Sequence, residues 1–314
     1  MNSTLRGPAE TAVRQCMNLG ADESCAVVTD DEREAIGEAL YRVARDVTDD
    51  AVILRYPPGD QHGEEPPGPV AAAMAGADVV LAPTTKSLSH TEARSEANAA
   101  GARVATLPGI TEAVFLMGLD ADYEAIRANC EAVHEQVAGA EEIRVTSPQG
   151  TDLTVRPGDR EWRLDTGIVH EPGAMSNLPA GEVFVSPETA DGTVVVDGTM
   201  MPHGKLDHHV EFTVEDGYVT DIADDDLRAE VEAAAEAAGR DAYNVAELGI
   251  GTNVAVEELV GSVLLDEKAG GTVHVAIGDD HAIGGDTRVP IHLDGILREP
   301  TVRADGEEVE LPRA

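Results

Sequence analysis

Between Cys25 and Thr106 the chain alternates short, continuously apolar runs with stretches whose apolar residues recur at helical spacing. The runs are CAVVT (Cys25–Thr29), AVILR (Ala51–Arg55), Asp78–Ala82 and Arg103–Thr106. They are too short for helices and lack the two-residue alternation of a half-exposed strand, so they predict strands buried on both faces. Between them, Ile36, Leu40 and Val43 fall on one helical face, and Val70–Ala75 and Thr91–Ala100 read as further helices. Ser89-His90-Thr91-Glu92 has the spacing of a capping box at the start of the last of these. Strands and helices in alternation imply a parallel sheet covered on both sides. A longer helix follows over Asp122–Ala138, with Ile126, Cys130, Val133 and Val137 on its apolar side.

From Glu142 the period changes to two, through IRVTSP, TDLTVRP, EWRLDT, EVFVSP, TVVVDG and HVEFTVEDGYVTDI. Turn signals at Pro148-Gln149-Gly150 and Asp216-Gly217 separate these runs, so this part is mainly antiparallel. One acidic helix, Asp225–Gly239, interrupts it; strands around His274 and Ile291 and a hairpin over Thr301–Leu311 complete it. The pattern therefore predicts an α/β N-terminal domain with a parallel sheet, residues 1–140. An α+β, largely antiparallel metal-binding domain, residues 141–314, follows it.

Charge changes the picture of habitat more than of fold. The 314 residues carry 60 Asp and Glu against 22 Lys and Arg, a formal charge of −38 spread along the whole chain. Lys86, Lys205 and Lys268 are the only lysines. A dispersed acidic surface of this kind matches a halophilic cytoplasm, because the Debye length shrinks to about 3 Å at 1 M salt and self-repulsion is screened. It also excludes binding to nucleic acid through phosphates. Cys16, Cys25 and Cys130 form no CxxC, which fits a reducing cytosol and free buried thiols. No signal-peptide core and no apolar run of 18 residues is found, so the expectation is a soluble cytoplasmic protein without a membrane partner.

The candidate chemistry lies in the last third. Glu182, Glu247, His274, His292 and Asp294 stand in the contexts AGEVFV, AELGIGTN, GTVHVAIG and PIHLDGIL, where hard or borderline donors interrupt segments that read as buried. Burying each such group costs several kcal/mol unless it is paired or bound to a metal, so their repetition points to one shared polar cavity. In His292-Leu293-Asp294 both donors leave a strand on the same face. Three carboxylates and two imidazoles without thiolate suit Zn, Mn, Co or Fe, as one ion or as two with a bridging carboxylate. Asp266-Glu267-Lys268, Asp279-Asp280-His281, and His203 with His208-His209 are additional groups.

LPAGEVFVSPE, VVVDG, AELGIGTN, DEKAGGTVHVAIG and HLDGIL resemble the successive motifs of the aminopeptidase T and aminopeptidase S metallopeptidases. The resemblance spans most of residues 80–298 and is densest from 178 onward. It implies a homodimeric metallo-aminopeptidase that removes N-terminal residues from small peptides, using two Zn, Co or Mn ions. The matching motifs make Glu182, Glu247, His274, His292 and Asp294 the metal ligands. Glu182 or Glu267 would move the proton of the metal-activated water, and His281 would stabilise the oxyanion where the family has a tyrosine. The same fold also resembles that of 2,5-dihydroxypyridine dioxygenase, a mononuclear non-haem Fe(II) ring-cleaving enzyme. On that alternative His274, His292 and Asp294 form the facial triad. Retention of both Glu182 and Glu247 favours the two-metal reading. A third reading, a non-catalytic binding protein, would use Lys86 to hold a small anion.

Overall fold

In the computed structural model, which describes residues 3–313, the four apolar runs form strands β1 (Cys25–Asp30), β2 (Ala51–Tyr56), β3 (Val79–Thr84) and β4 (Arg103–Pro108). They pair in parallel in the order β2-β1-β3-β4. Strands β1 and β3 are buried along their whole length, as strands without alternation must be. Helix Glu34–Arg45 sets Ile36, Leu40 and Val43 into the core. It lies close enough to β1 that a Cβ on Gly37 would sit 2.8 Å from the Thr29 side chain.

The helix after β3 begins differently from the capping-box expectation. It spans Glu92–Ala99, and its cap is Thr91, whose hydroxyl accepts from the Arg94 amide. The Ser89 hydroxyl is instead shared with Thr106 and Asn177. Asn177 belongs to Met175–Asn177, a short strand that extends the parallel sheet beyond β4.

The chain divides into two compact units: the chain up to Arg127 with Thr166–Ala180, and Ala128–Asp165 with the chain from Gly181 onward. The second unit holds two seven-stranded sheets. One contains Ile143–Thr146, Asp152–Arg156, Thr189–Val196, Val210–Glu215 and Tyr218–Ile222, together with the C-terminal hairpin Thr301–Ala304 and Glu307–Glu308. Its pairings are antiparallel. The turn Asp216-Gly217 takes positive φ at both residues (50° and 80°), the geometry that an Asp-Gly hairpin favours. The other sheet runs, in spatial order, Gly204–Lys205, Thr199–Met200, His292–Leu297, Val273–Gly278, Val245–Gly251, Glu182–Val185 and Arg163–Asp165. The α/β and largely antiparallel classes expected for the two parts are thus observed. Among the described residues no helix is long and apolar enough to cross a membrane.

Candidate metal centre

Register brings the five donors onto one face of the second sheet. Ala276 pairs with Glu247 on one side and with Asp294 on the other, while His274 pairs with Gly249, His292 with Gly278 and Glu182 with Gly251. Paired residues share a face, and so do residues two apart on one strand. Glu182, Glu247, His274, His292 and Asp294 therefore all project to the same side, as their spacing in the sequence allowed.

Two glycines create the space. A Cβ on Gly249 would lie 2.1 Å from His274 Nε2, so the imidazole can lie across the neighbouring strand only because that position has no side chain. A Cβ on Gly251 would lie 2.1 Å from the Ala269 carbonyl oxygen. Its absence lets the segment after helix Val263–Asp266 approach the sheet and deliver Lys268.

The donors meet in two overlapping groups, Glu182–Glu247–His274 and Glu247–His292–Asp294, each with ligand atoms within 4.8 Å of one another. Glu247 is shared: Oε1 lies 3.1 Å from His274 Nε2, and Oε2 lies 3.4 Å from His292 Nε2. His292 Nε2 is also 3.4 Å from Asp294 Oδ1, and His274 Nε2 is 3.4 Å from Glu182 Oε2. The two histidines differ in preparation. His292 Nδ1 donates to the Asp279 carbonyl at 2.7 Å, which orients the ring and turns Nε2 toward the carboxylates. His274 Nδ1 is buried and makes no hydrogen bond. His274 is fully buried, whereas the His292 side chain is 33% exposed and marks the mouth of the site.

Lys268 is the buried cation of the cluster, with Nζ against Glu182 Oε1 and 2.7 Å from Glu267 Oε1. Burial opposes its charge, but the two carboxylates win and raise its pKa well above the usual value. Glu182, Glu247, Glu267 and Asp294 still outnumber it, so with neutral imidazoles three negative charges are uncompensated. The groups respond by taking up protons. Burial lowers His274, yet its hydrogen bond to Glu247 and the neighbouring carboxylates push it up to about 9. Burial lifts Glu182 to about 8 against the pull of Lys268. Glu247 would be raised by burial, but its bonds to both imidazoles hold it well below the usual carboxylate range.

A divalent cation at this position would offset the same excess of negative charge that helps raise His274 and Glu182. The donor set fits such a cation: oxygen and imidazole nitrogen only, an excess of negative charge, and a buried carboxylate oxygen, Glu182 Oε2, that makes no hydrogen bond.

The remaining candidates are placed as follows. Glu267 joins the cluster through Lys268. His281 lies exposed on the short turn His281–Ile283. Asp266 is buried and anchors its own loop by accepting from Thr199 Oγ1 and from the Val260 and Gly261 amides. Asp280 accepts from Ser186, Asn244 and the Thr287 amide. The roles of Lys268 and Gly249 depend on approaches between distant segments, which no local pattern in the sequence announces.

The buried oxygen-and-imidazole cluster has the donor set of a metal site, and a family match makes the chain one of a metal-dependent class of enzymes. The sequence model of the NicX family, 2,5-dihydroxypyridine 5,6-dioxygenase, matches residues 11–311, and the chain belongs to that family. The structure of 2,5-dihydroxypyridine dioxygenase from Pseudomonas putida KT2440 superposes with a TM-score of 0.81 at 19% identity, covering 100% of this chain and 96% of that one. Wild-type AmpT from Thermus thermophilus superposes with a TM-score of 0.69 at 18% identity, covering 98% and 99%. No curated protein sequence matches this chain significantly.

These findings overturn the metallo-aminopeptidase reading, and with it the terms hydrolase, metalloprotease and peptide-cleaving enzyme. The family is one of dioxygenases, which are oxidoreductases, and the dioxygenase structure is the better match of the two. The physical reason lies in the motifs themselves. GEVFV, AELGIG and HLDGI are the strands that carry the donors, and one fold can support different reactions on such a sheet.

Proposed function

We propose that this protein is a mononuclear Fe(II) dioxygenase that opens the ring of a hydroxylated pyridine. The structural observation that supports it, within the family shown above, is the buried Glu247 carboxylate with one oxygen toward each imidazole. His292 and Asp294, two residues apart on one strand, and Glu247 would hold the ion, and His274 is the second imidazole within reach. One Fe(II) suffices for this chemistry, in place of paired Zn, Co or Mn ions. Bound Fe(II) supplies the one-electron chemistry that lets dioxygen react with an aromatic ring.

The chain's own residues set up the rest. His292, oriented by the Asp279 carbonyl, keeps its Nε2 toward the centre. Held ionised by Lys268 and a bound cation, Glu182 would offer Oε2 as the acceptor for a ring-hydroxyl proton, beside the fully buried His274. Lys268 holds the other Glu182 oxygen and limits the charge that accumulates around the substrate anion.

The test is anaerobic loading with Fe(II), followed by oxygen uptake with 2,5-dihydroxypyridine. One bound iron per chain is expected, with oxygen consumed in equal amount to the ring absorbance lost. Iron-loaded protein that consumes no oxygen with hydroxylated pyridines would sink the reading.

A further inference from the structure

A second group of donors lies in the same unit, away from the residues assigned above. Strand Thr199–Met200 runs beside Asp294: Met200 pairs with Gly295, and the Met201 amide donates to the Asp294 carbonyl at 3.3 Å. The chain then turns through His203, pairs back as the edge strand Gly204–Lys205, and carries Asp207 and His208 to the start of helix Asp225–Ala238, where Asp224 is the cap. His203 Nε2 lies 2.8 Å from Asp224 Oδ1, and His208 Nε2 lies 3.4 Å from Asp224 Oδ2. The two rings stand edge to face, with centroids 5.6 Å apart.

We propose that His203, His208 and Asp224 form a second metal site, for a borderline divalent cation such as Zn(II), that clips this excursion to the helix start. Three observations carry it. The ligand atoms of the three residues all lie within 4.8 Å of one another. Ligands about 2.0–2.1 Å from a tetrahedral ion are roughly 3.3 Å apart, close to the separations found here. Moreover, His208 Nδ1 is held by Asp207 Oδ1 at 2.9 Å, the carboxylate–imidazole arrangement that orients a metal-bound histidine. With that proton on Nδ1, the Nε2 lone pair of a neutral His208 faces the Asp224 carboxylate, an arrangement that requires a cation or a second proton between them.

Asp224 is fixed independently of either histidine, since Oδ1 also accepts from the Leu227 amide at 2.8 Å. Two imidazoles and one carboxylate without thiolate suit Zn(II), Co(II), Ni(II) or Cu(II) and not the all-oxygen shells of Mg(II) or Ca(II). His208 is 52% exposed, so the remaining coordination position is open to water. The site shares no residue with the proposed Fe(II) centre and stands whatever reaction that centre performs. Its effect would be to hold the loop whose first amide supports the backbone of Asp294.

The experiment counts zinc by equilibrium dialysis on the full chain. His208→Ala is expected to bind one equivalent fewer than the natural sequence. Asp207→Asn is expected to keep the count but weaken that equivalent about 10–100-fold. Because a substitution can disturb folding, the unaltered protein is also treated with an imidazole-acylating reagent and mapped by mass spectrometry. Zinc is expected to protect His203 and His208 while the neighbouring exposed His209 still reacts. An unchanged zinc count in His208→Ala, or equal acylation of His203 and His208 with and without zinc, overturns the proposal.

Discussion

At the scale of single residues, the donor face depends as much on what is missing as on what is present. Gly249→Ala would place a methyl 2.1 Å from His274 Nε2, with both groups held by paired strands. The expected outcome is folded protein with iron binding at the principal centre lost, read by circular dichroism and metal analysis. Lys268→Met removes the ammonium between two buried carboxylates. Breaking a buried pair by removing one partner costs about 3–5 kcal/mol. Denaturant unfolding of the metal-free protein should show a loss of that order, and a loss below 1 kcal/mol would count against the pairing. Cys25 and Cys130 are pushed up to about 12 by burial. The thiolate is the reactive form, so at pH 8 both stay protonated and a thiol reagent should modify them only after unfolding. The five side chains that meet on one face stood out in the sequence because charged or imidazole groups inside apolar strands need an explanation. Gly249 and Lys268 did not, because their meaning comes from register and from a loop folding back on the sheet.

Individual elements were read with uneven success, for physical reasons. The parallel strands and the helices between them announced themselves by period; β1, β3 and β4 are buried as that pattern predicts, whereas β2, at the sheet edge, leaves Val52 and Arg55 exposed. Met175–Asn177 did not announce itself, because three residues are too few to display any period. At the helix Glu92–Ala99, spacing pointed to Ser89 as cap, but the backbone gives that role to Thr91. Spacing alone leaves the competition between neighbouring hydroxyls open; Ser89 is drawn away by Thr106 and Asn177. Thr91→Ala should therefore cost about 1 kcal/mol of stability as a lost cap, measured by chemical denaturation. Glu65, whose carboxylate also accepts from the Glu92 and Ala93 amides, limits the damage.

Across the whole molecule, electrostatics oppose compactness at low salt. Exposed pairs such as Arg144–Asp152 and Arg156–Glu142 contribute little each. With 60 acidic side chains against 22 basic ones, most carboxylates have no cation to pair with. Screening should therefore matter more than pairing, and the thermal midpoint is expected to rise from low to multimolar KCl. A midpoint that falls over that range would mean the ion pairs dominate instead. The change of period near residue 142 announced the shift from parallel to antiparallel pairing, but not the return of Thr166–Ala180 to the first unit. The reaction did not follow, because the strands that bear the donors serve more than one chemistry.

Ala276 sits between Glu247 and Asp294, its methyl group on the donor face. It offers no donor atom, yet it lies in register between two of the carboxylates and sets the spacing of the face they share. Exchanging that methyl for a larger group would crowd the donor face without replacing a single donor. What the enzyme admits can thus drift, by mutation or by design, while its ion-holding apparatus stays intact.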